Sequence, residues 1–550
     1  MSRGRAAVAK FVDARLGGQR AGALVRASEI AGGVAATALA LHLSFRFATE
    51  AGPLWRDEAS AVHLATLPHF SDVLRALSVE SMPAFYPTLL RLWAFVGLAE
   101  QDSALRFLGL LVAIATVAAV WMSARAMAVA VPLLTLVVFD LHGAVLQTEG
   151  AVKPYGVGAV LAIAMFAGVW RVASAPGVGA IVWTSAAAVL AVNTLYQNLP
   201  LLAAFCVAAV ASRAVEHDRR GIIRVGVVAL IGAGSLVPYV PVIAKSQDWR
   251  ALIHADNTIR QLGTRLLDIG SDWSRTVLAV WAVTCVVCVI VAVGRLRANT
   301  DLDRGRLVYV TVTAIGCPVA LLAFFKSASA NLEPWHVASL IAISALCLDA
   351  ILAWTRLLRA LRGGLAVLAA VALVPISSSW VGVRQTNVDL LATFIATTGH
   401  EGDIVVLNPW FLGLTFTRYY RGRAPWITIP PIQDVRIHRY DLVKEQMRNA
   451  ETMVPVYRAM QTALRSGHRV WLVGGAQFLP PDQPPEILPP APLAPTGWQH
   501  PPYYRAWSRG VGRFVQAHAV NVTVAPVKSD QAIWRTEGAI LMVAHGWRGP

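Results

Sequence analysis

The chain reads as a mainly α protein, a polytopic bundle of about 11–13 membrane-spanning helices with a small extracytoplasmic α/β domain at its carboxyl end. Three observations predict this. Hydrophobic residues make up 56% of the 550 and charged residues only 15%, whereas soluble domains carry about 25% charged residues. Segments apolar enough to cross a hydrocarbon core of roughly 30 Å recur from near residue 29 to near residue 380. Beyond residue 385 they give way to short apolar runs separated by polar and proline-rich stretches.

Residues 1–28, with Arg3, Arg5, Lys10, Arg15, Arg20 and Arg26, lack the short apolar core and small-residue cleavage site of a signal peptide and read as a cytoplasmic flank. A transmembrane domain over 29–384 follows, with candidate spans near 29–48, 83–99, 105–122, 127–146, 155–173, 178–195, 199–214, 221–243, 274–295, 306–325, 335–356 and 363–379. The formal net charge of +16 would suggest nucleic acid in a soluble protein. Here the Arg residues gather in short loops, at 213–224, 295–306 and 356–362, and positive-inside topology accounts for them without a nucleic-acid partner. Those loops are therefore placed in the cytoplasm, and the first loop, 49–82, and the tail, 385–550, outside it, at the inner membrane. Twelve full crossings would return the tail to the cytoplasm. One segment must fail to cross, or one pair, a hairpin between 105 and 146, is misread; 83–99 is the weakest, being short, with Arg91 inside it and Pro83 and Pro87 at its start.

All five cysteines fall in predicted spans, where Cys285 and Cys288 read as small buried hydrophobes and not as a metal pair. In the tail, GDIVVLN and RVWLVGG read as buried strands with a helical stretch near 441–466 between them. The runs FVQAHAVNVTVA and AILMVA are candidates for further strands, and the proline-dense stretch 480–502 for an extended loop. The tail shows no phosphate-cradling glycine motif.

The candidate chemistry sits in LWRDEASAVHLA, directly after the first span. Asp57 and Glu58 there form an acidic pair at the start of a helix, a place that also suits acids as cap and dipole partners. Transfer of a group from a phosphate carrier to a hydroxyl would need a base for that hydroxyl, a task carboxylates perform when desolvation raises their pKa, and cations or donors for the departing phosphate. Arg56, Lys153, Lys326 and His336 are predicted on the same membrane face. Glu149 lies at the junction of two apolar segments, where an acid is usually partnered or functional. Lys153, four residues on, is its candidate helical partner. Tyr86 suits an interfacial belt or contact with a lipid carrier.

These residues resemble the GT-C superfamily of integral-membrane glycosyltransferases, in the branch of protein mannosyltransferases, lipid A aminoarabinose transferases and bacterial lipopolysaccharide-core transferases. The resemblance lies in WRDEAS at 55–60, SMPAFYPTLLRLW at 81–93, DSALRFLGLLVAIATVAAVW at 102–121 and TEGAVKPYGVG at 148–158, in the order that family shows them. It implies a loop-one catalytic acid at Asp57 with Glu58 beside it, a second-loop acid at Glu149 near the acceptor, Lys153 where the family often has Arg, and Tyr155 as its aromatic. Ser81-Met82-Pro83 stands in place of the family's His-Pro-Pro, so that histidine must come from elsewhere, with His63, His69 and His336 as candidates. Glu333-Pro334-Trp335-His336 replaces the late Arg-Tyr motif.

The resemblance implies transfer of a sugar from a polyprenyl-phosphate-linked donor to an extracytoplasmic glycan, lipid or protein acceptor, with inversion at the anomeric carbon. Lys153, Lys326 and His336 are the candidates for the lipid phosphate. Asp57, Glu58 and Glu149 are also candidates to hold a divalent metal ion, which much of that branch does without. The alternative is a transporter or lipid flippase with charged membrane sites, which would place its acids near the bilayer centre along a through-path.

Overall fold

The computed structural model describes residues 2–549 except 81, 176, 251–257, 259, most of 265–303, 331, 354–355, 481–482, 484–485 and 492–498; side chains of 2–22, 247–250 and 356–357 are also not described. The expected span 274–295, with Cys285 and Cys288, lies outside the described residues apart from a few positions. The protein is mostly helical, with one five-stranded sheet in the carboxyl-terminal part. Seven helices are long and apolar enough to cross a membrane, among the described residues. The chain is a multi-pass membrane protein.

Helix α1 (Ser2–Glu50) is continuous, so the basic flank extends the first crossing as helix. The first loop holds α2 (Arg56–Ala65), α3 (Phe70–Glu80) and α4 (Phe85–Phe95). At 1.5 Å per residue the 11 residues of α4 reach about 16 Å, too short to span. Both ends of α4 are tied to one membrane face. Phe85 N–H donates to Asn193 O (3.1 Å), and just beyond its other end Ala99 O accepts from Arg418 of the tail (3.2 Å). Arg91, the polar residue inside it, donates to the carbonyls of Leu67 (2.6 Å) and Ala65 (2.9 Å).

Helices α5 (Asp102–Ala126) and α8 (Pro154–Ser174) run full length. Between them the expected span near 127–146 is broken into α6 (Leu133–Thr135), a π-helical turn (Leu136–Asp140) and α7 (Gly143–Gly150). Its start is pinned by buried Asp349, which accepts from Thr135 N–H (2.7 Å), Thr135 Oγ1–H (2.6 Å) and Leu134 N–H (3.2 Å). Buried Arg362 joins this corner to α1 through Glu29 (2.6 Å). Where α7 ends, its backbone lies against α5: a Cβ placed on Gly109 would come within 2.2 Å of Gly150 O. Gly109→Ala is therefore expected to push the two helices apart at a cost of about 1–3 kcal/mol, read as a lowered thermal midpoint in detergent; an unchanged midpoint would refute this close contact.

α9 (Val178–Val192), α10 (Asn198–Val215), α11 (Arg219–Gly234) and α12 (Val240–Arg250) follow. After residue 303 come α13 (Arg304–Ala328), α14 (Ala338–Leu352) and α15 (Arg356–Val381). α9 and α14 have 15 residues each, which is why a count by length falls below the expected number of crossings. Loop one, the α7–α8 turn, the α13–α14 loop and the end of α15 lie together at one face. There Gln385 N–H donates to Ala51 O (2.8 Å) and Gln197 Nε2 to His336 O (3.1 Å). The tail is attached to the same face as loop one.

The tail contains a sheet of order β2-β1-β3-β5-β4, in which β2 (Trp426–Thr428), β1 (Ile404–Leu407) and β3 (Val470–Val473) are parallel and β5 (Leu541–Trp547) and β4 (Ala519–Val524) antiparallel. β1 and β3 are the runs read as strands in GDIVVLN and RVWLVGG, buried along their whole length as central strands should be. The helical stretch is two helices, α18 (Tyr440–Arg448) and α19 (Val454–Arg465), after α16 (Val388–Thr398) and α17 (Leu412–Tyr419). The run FVQAHAVNVTVA is only half strand. Its first part ends α20 (His500–His518), an amphipathic helix whose Val511 and Val515 pack on the sheet.

Candidate active site

Trp55 caps α2 in extended backbone, and Glu58 at the third helical position accepts the Trp55 N–H (3.2 Å), which orients the first turn. Asp57 points the other way. The two acids read as a pair have separate surroundings. Glu58 is fully buried and bound by both arms of Arg106 from α5, one of them at 2.9 Å (Nη2 to Oε2), and it accepts Val152 N–H (2.9 Å). Arg106 also donates to Pro53 O (3.1 Å). Loop one, α5 and the α7–α8 turn are thus locked to one carboxylate, which has no oxygen left for chemistry.

Asp57 keeps 22% of its side chain accessible and is surrounded by cations. Lys153 Nζ binds Oδ2; His438 Nε2 (3.4 Å) and Arg56 Nε (3.4 Å) approach Oδ1. Burial alone would raise its pKa, but Lys153, His438 and Arg56 hold it well below the usual carboxylate range. This reverses the expectation of a carboxylate raised toward neutrality: in this state Asp57 is an anion and a weak base. The ammonium of Lys153 sits among rings, 4.3 Å from the centre of Trp55, 4.9 Å from Trp335 and 5.4 Å from Tyr155, contacts that stabilise a desolvated cation.

The tail closes over this cluster with two segments. In one, Ile437 packs among Leu64, Leu67 and Val73 of loop one, which carries His438 to Asp57. In the other, residues 531–537 are laced to the end of α15: Arg384 N–H donates to Ala532 O and Trp534 N–H to Arg384 O, both at 2.8 Å. Trp534 stands edge-on to Trp55, centroids 5.0 Å apart. Glu537 Oε1 lies 3.4 Å from Arg56 Nε, and burial pushes its pKa up to about 7 although Arg56 opposes this.

The other expected site residues are dispersed. Lys153 does not neutralise Glu149, because α7 stops at Gly150 and α8 begins at Pro154, so no helical spacing connects them. Glu149 is buried with one oxygen unpartnered, facing Asp140 and Thr116 instead. Tyr86 is also buried, packed with Leu54, Val62 and Leu105, so it forms neither an interfacial belt nor a lipid contact. Lys326 is exposed at the end of α13 and is not among the groups acting on Asp57. His336 accepts the Glu333 N–H at Nδ1 (3.0 Å) and meets Tyr155 Oη at Nε2 (3.3 Å). Burial, aided by Lys153, lowers its pKa to about 3, so it stands neutral beside the site and is no cation for a phosphate. The histidine at Asp57 is His438, not His63, His69 or His336; His63 instead contacts the Arg436 carbonyl (3.0 Å).

Nor do Asp57, Glu58 and Glu149 suit a shared divalent ion. Glu58 is saturated by Arg106, Asp57 is ringed by cations, and Glu149 faces a different set of groups. No cluster of three or more His, Cys, Asp or Glu able to hold a metal occurs among the described residues.

The helical bundle with an α/β tail on the face of loop one shares its fold with a solved membrane protein, an archaeal oligosaccharyltransferase. It matches the oligosaccharyltransferase of Archaeoglobus fulgidus in the apo form at a TM-score of 0.50 and 12% identity, covering 92% of this chain and 76% of that one. It also aligns with ArnT from Cupriavidus metallidurans bound to undecaprenyl phosphate, at a TM-score of 0.49 and 12% identity over 93% of this chain and 97% of that one. No family profile and no curated protein sequence matches the chain.

Proposed function

We propose that the protein is a membrane glycosyltransferase that moves a sugar from a polyprenyl-phosphate-linked donor to an extracytoplasmic glycan, lipid or protein acceptor at the inner membrane, with Asp57 as its catalytic carboxylate. The observation that carries this reading is one partly accessible carboxylate, at the mouth of a GT-C bundle, whose Oδ2 binds Lys153 and whose Oδ1 faces Arg56 and His438. A donor phosphate entering there competes with Asp57 for Lys153 and Arg56. As those cations turn to the phosphate, Asp57 loses Lys153, the largest of the charges that depress its pKa, and becomes a stronger base where an acceptor hydroxyl can meet it.

The hydroxyl oxygen then bonds the anomeric carbon with inversion and its proton passes to Asp57. The bond from that carbon to the phosphate oxygen breaks, and the polyprenyl phosphate leaves with the bonding pair, stabilised by Lys153 and Arg56. Glu58, held by Arg106, positions the loop. Trp55, Trp335, Tyr155 and Trp534 offer faces for a sugar ring. Asp57 belongs to a loop after the first crossing, which favours transfer over a transport path through the bilayer centre. In a strain lacking the gene, a lipid-linked sugar is expected to accumulate while a surface glycan or glycolipid shortens, both reversed by the wild-type gene. Lipid-linked sugar pools identical in the two strains would overturn the proposal.

A further inference from the structure

We infer that the tail takes part in the reaction through His438, a positioning residue that fixes the orientation of the Asp57 carboxylate and is itself anchored by Glu80. The inference rests on the reading of Asp57 as the catalytic carboxylate. Its observations are geometric. His438 Nε2 faces Asp57 Oδ1 at 3.4 Å and Nδ1 faces Glu80 Oε2 at 3.2 Å, while its own backbone N–H donates to Glu80 Oε1 (2.6 Å). Ser60, one helical turn after Asp57, donates to that same Glu80 oxygen (2.6 Å). The imidazole lies parallel to the Tyr440 ring, at 5° and 6.0 Å between centroids. His438 and Glu80 are largely buried, their side chains 14% and 4% accessible.

Two largely buried polar groups from segments far apart in sequence meet at an acid that keeps access to the outside, and packing of Ile437 alone does not require them there. A chain of hydrogen bonds from Ser60 and Glu80 to His438, completed by the ion pair of His438 with Asp57, leaves the carboxylate few ways to rotate. Lys153 holds Oδ2 and His438 holds Oδ1, so when a substrate phosphate draws Lys153 away, His438 remains to keep the carboxylate aimed. Such supporting partners set how much of the time a reacting group spends in its productive geometry.

The charged and titratable groups around His438 are Asp57 and Arg56 on α2, Glu80 at the end of α3, Lys153 beyond Asp57, Glu537 on the second tail segment, and Tyr440 on its own. Burial lowers the imidazole pKa, but Glu80 and Asp57 outweigh it and raise it to about 9. At neutral pH His438 is therefore charged and donates from both nitrogens; above about pH 9 one donor is lost.

The test uses the purified full chain added to membranes of the deletion strain, which hold the unused lipid-linked sugar and the shortened acceptor, with D57N assayed in parallel. His438→Ala is expected to lower the transfer rate about ten- to a hundredfold, the loss of one hydrogen bond to a charged group. H438Q, which keeps one N–H donor, is expected to recover part of that rate. The wild-type rate should fall above about pH 9. In Glu80→Gln that alkaline limb should move to lower pH, because the charge that raises the imidazole is gone; a fold defect alone would not move it. Inactive D57N together with H438A at the wild-type rate, or with an E80Q limb that does not move, overturns the positioning role. Active D57N overturns the reading of Asp57 beneath it.

Discussion

Asp57→Asn is expected to lower sugar transfer by about 10²–10⁴-fold, the contribution of a positioned acid or base, while the protein stays folded in the membrane. Asparagine nearly matches the shape of the carboxylate and keeps one oxygen acceptor, so Trp55 and the first turn of α2 need not move. What disappears is the anion facing Lys153, Arg56 and His438 and with it the proposed base. Donor binding should survive, and even tighten, because the cations are then free for phosphate. Complementation of the deletion strain reads this directly: the D57N gene should leave lipid-linked sugar accumulated as if no gene were present. Glu537→Gln supplies a comparison in the same cluster, since the ion pair of Glu537 is with Arg56 and not with Asp57, and is expected to retain transfer. Wild-type transfer by D57N would end the assignment of Asp57 as base.

The second large effect concerns stability. Arg106→Ala leaves Glu58 charged and fully buried with only the backbone donors of Trp55 and Val152. Breaking such a buried pair costs about 3–5 kcal/mol, because the remaining charge has lost its solvation and its counter-ion together. Expected results are a markedly lower thermal midpoint in detergent and poor recovery from membranes. Removing both charges, as in Glu58→Leu with Arg106→Met, should recover most of the stability, since an apolar pair of similar volume fills the space without an orphaned charge. If R106A unfolded at the wild-type temperature, Glu58 would not be the lock between loop one and α5.

How much of this was legible in the sequence depends on range. The first loop and its acid could be read because Asp57, Trp55 and Arg56 are neighbours in the chain and follow an apolar run that ends at the membrane surface. Strands β1 and β3 could be read because each is a short apolar run bounded by polar residues. The separate duties of Asp57 and Glu58 could not be read from their adjacency. The signal lay elsewhere, in Arg106 inside an apolar segment, where a charge demands a partner. That 83–99 fails to cross was suggested by Arg91 and two prolines, and its helix has only 11 residues.

His438, Trp534 and Glu537 were not found, and Glu80 only follows from them. His438 contacts a residue 358 positions earlier, and no periodicity or spacing reports a contact over that distance. The one local signal was the dense polar string Arg436-Ile437-His438-Arg439-Tyr440 with a single aliphatic residue in it. That pattern fits a segment pressed against another surface by one anchor, and Ile437 is that anchor.

The lacing of residues 531–537 to Arg384 and Trp55 has a consequence for the life history of the molecule. Membrane helices enter the bilayer in order as the ribosome delivers them, and domains fold largely as they emerge, so Asp57 and Lys153 reach the membrane long before His438 and Trp534 exist. Until residues 436–438 and 531–537 have been made, the cluster around Asp57 has no roof and its carboxylate has no imidazole beside it. The newborn chain therefore passes through a stage in which Asp57 and Lys153 are in place without His438 and Trp534, and the cluster is complete only once the segment leading into β5 has been laid down.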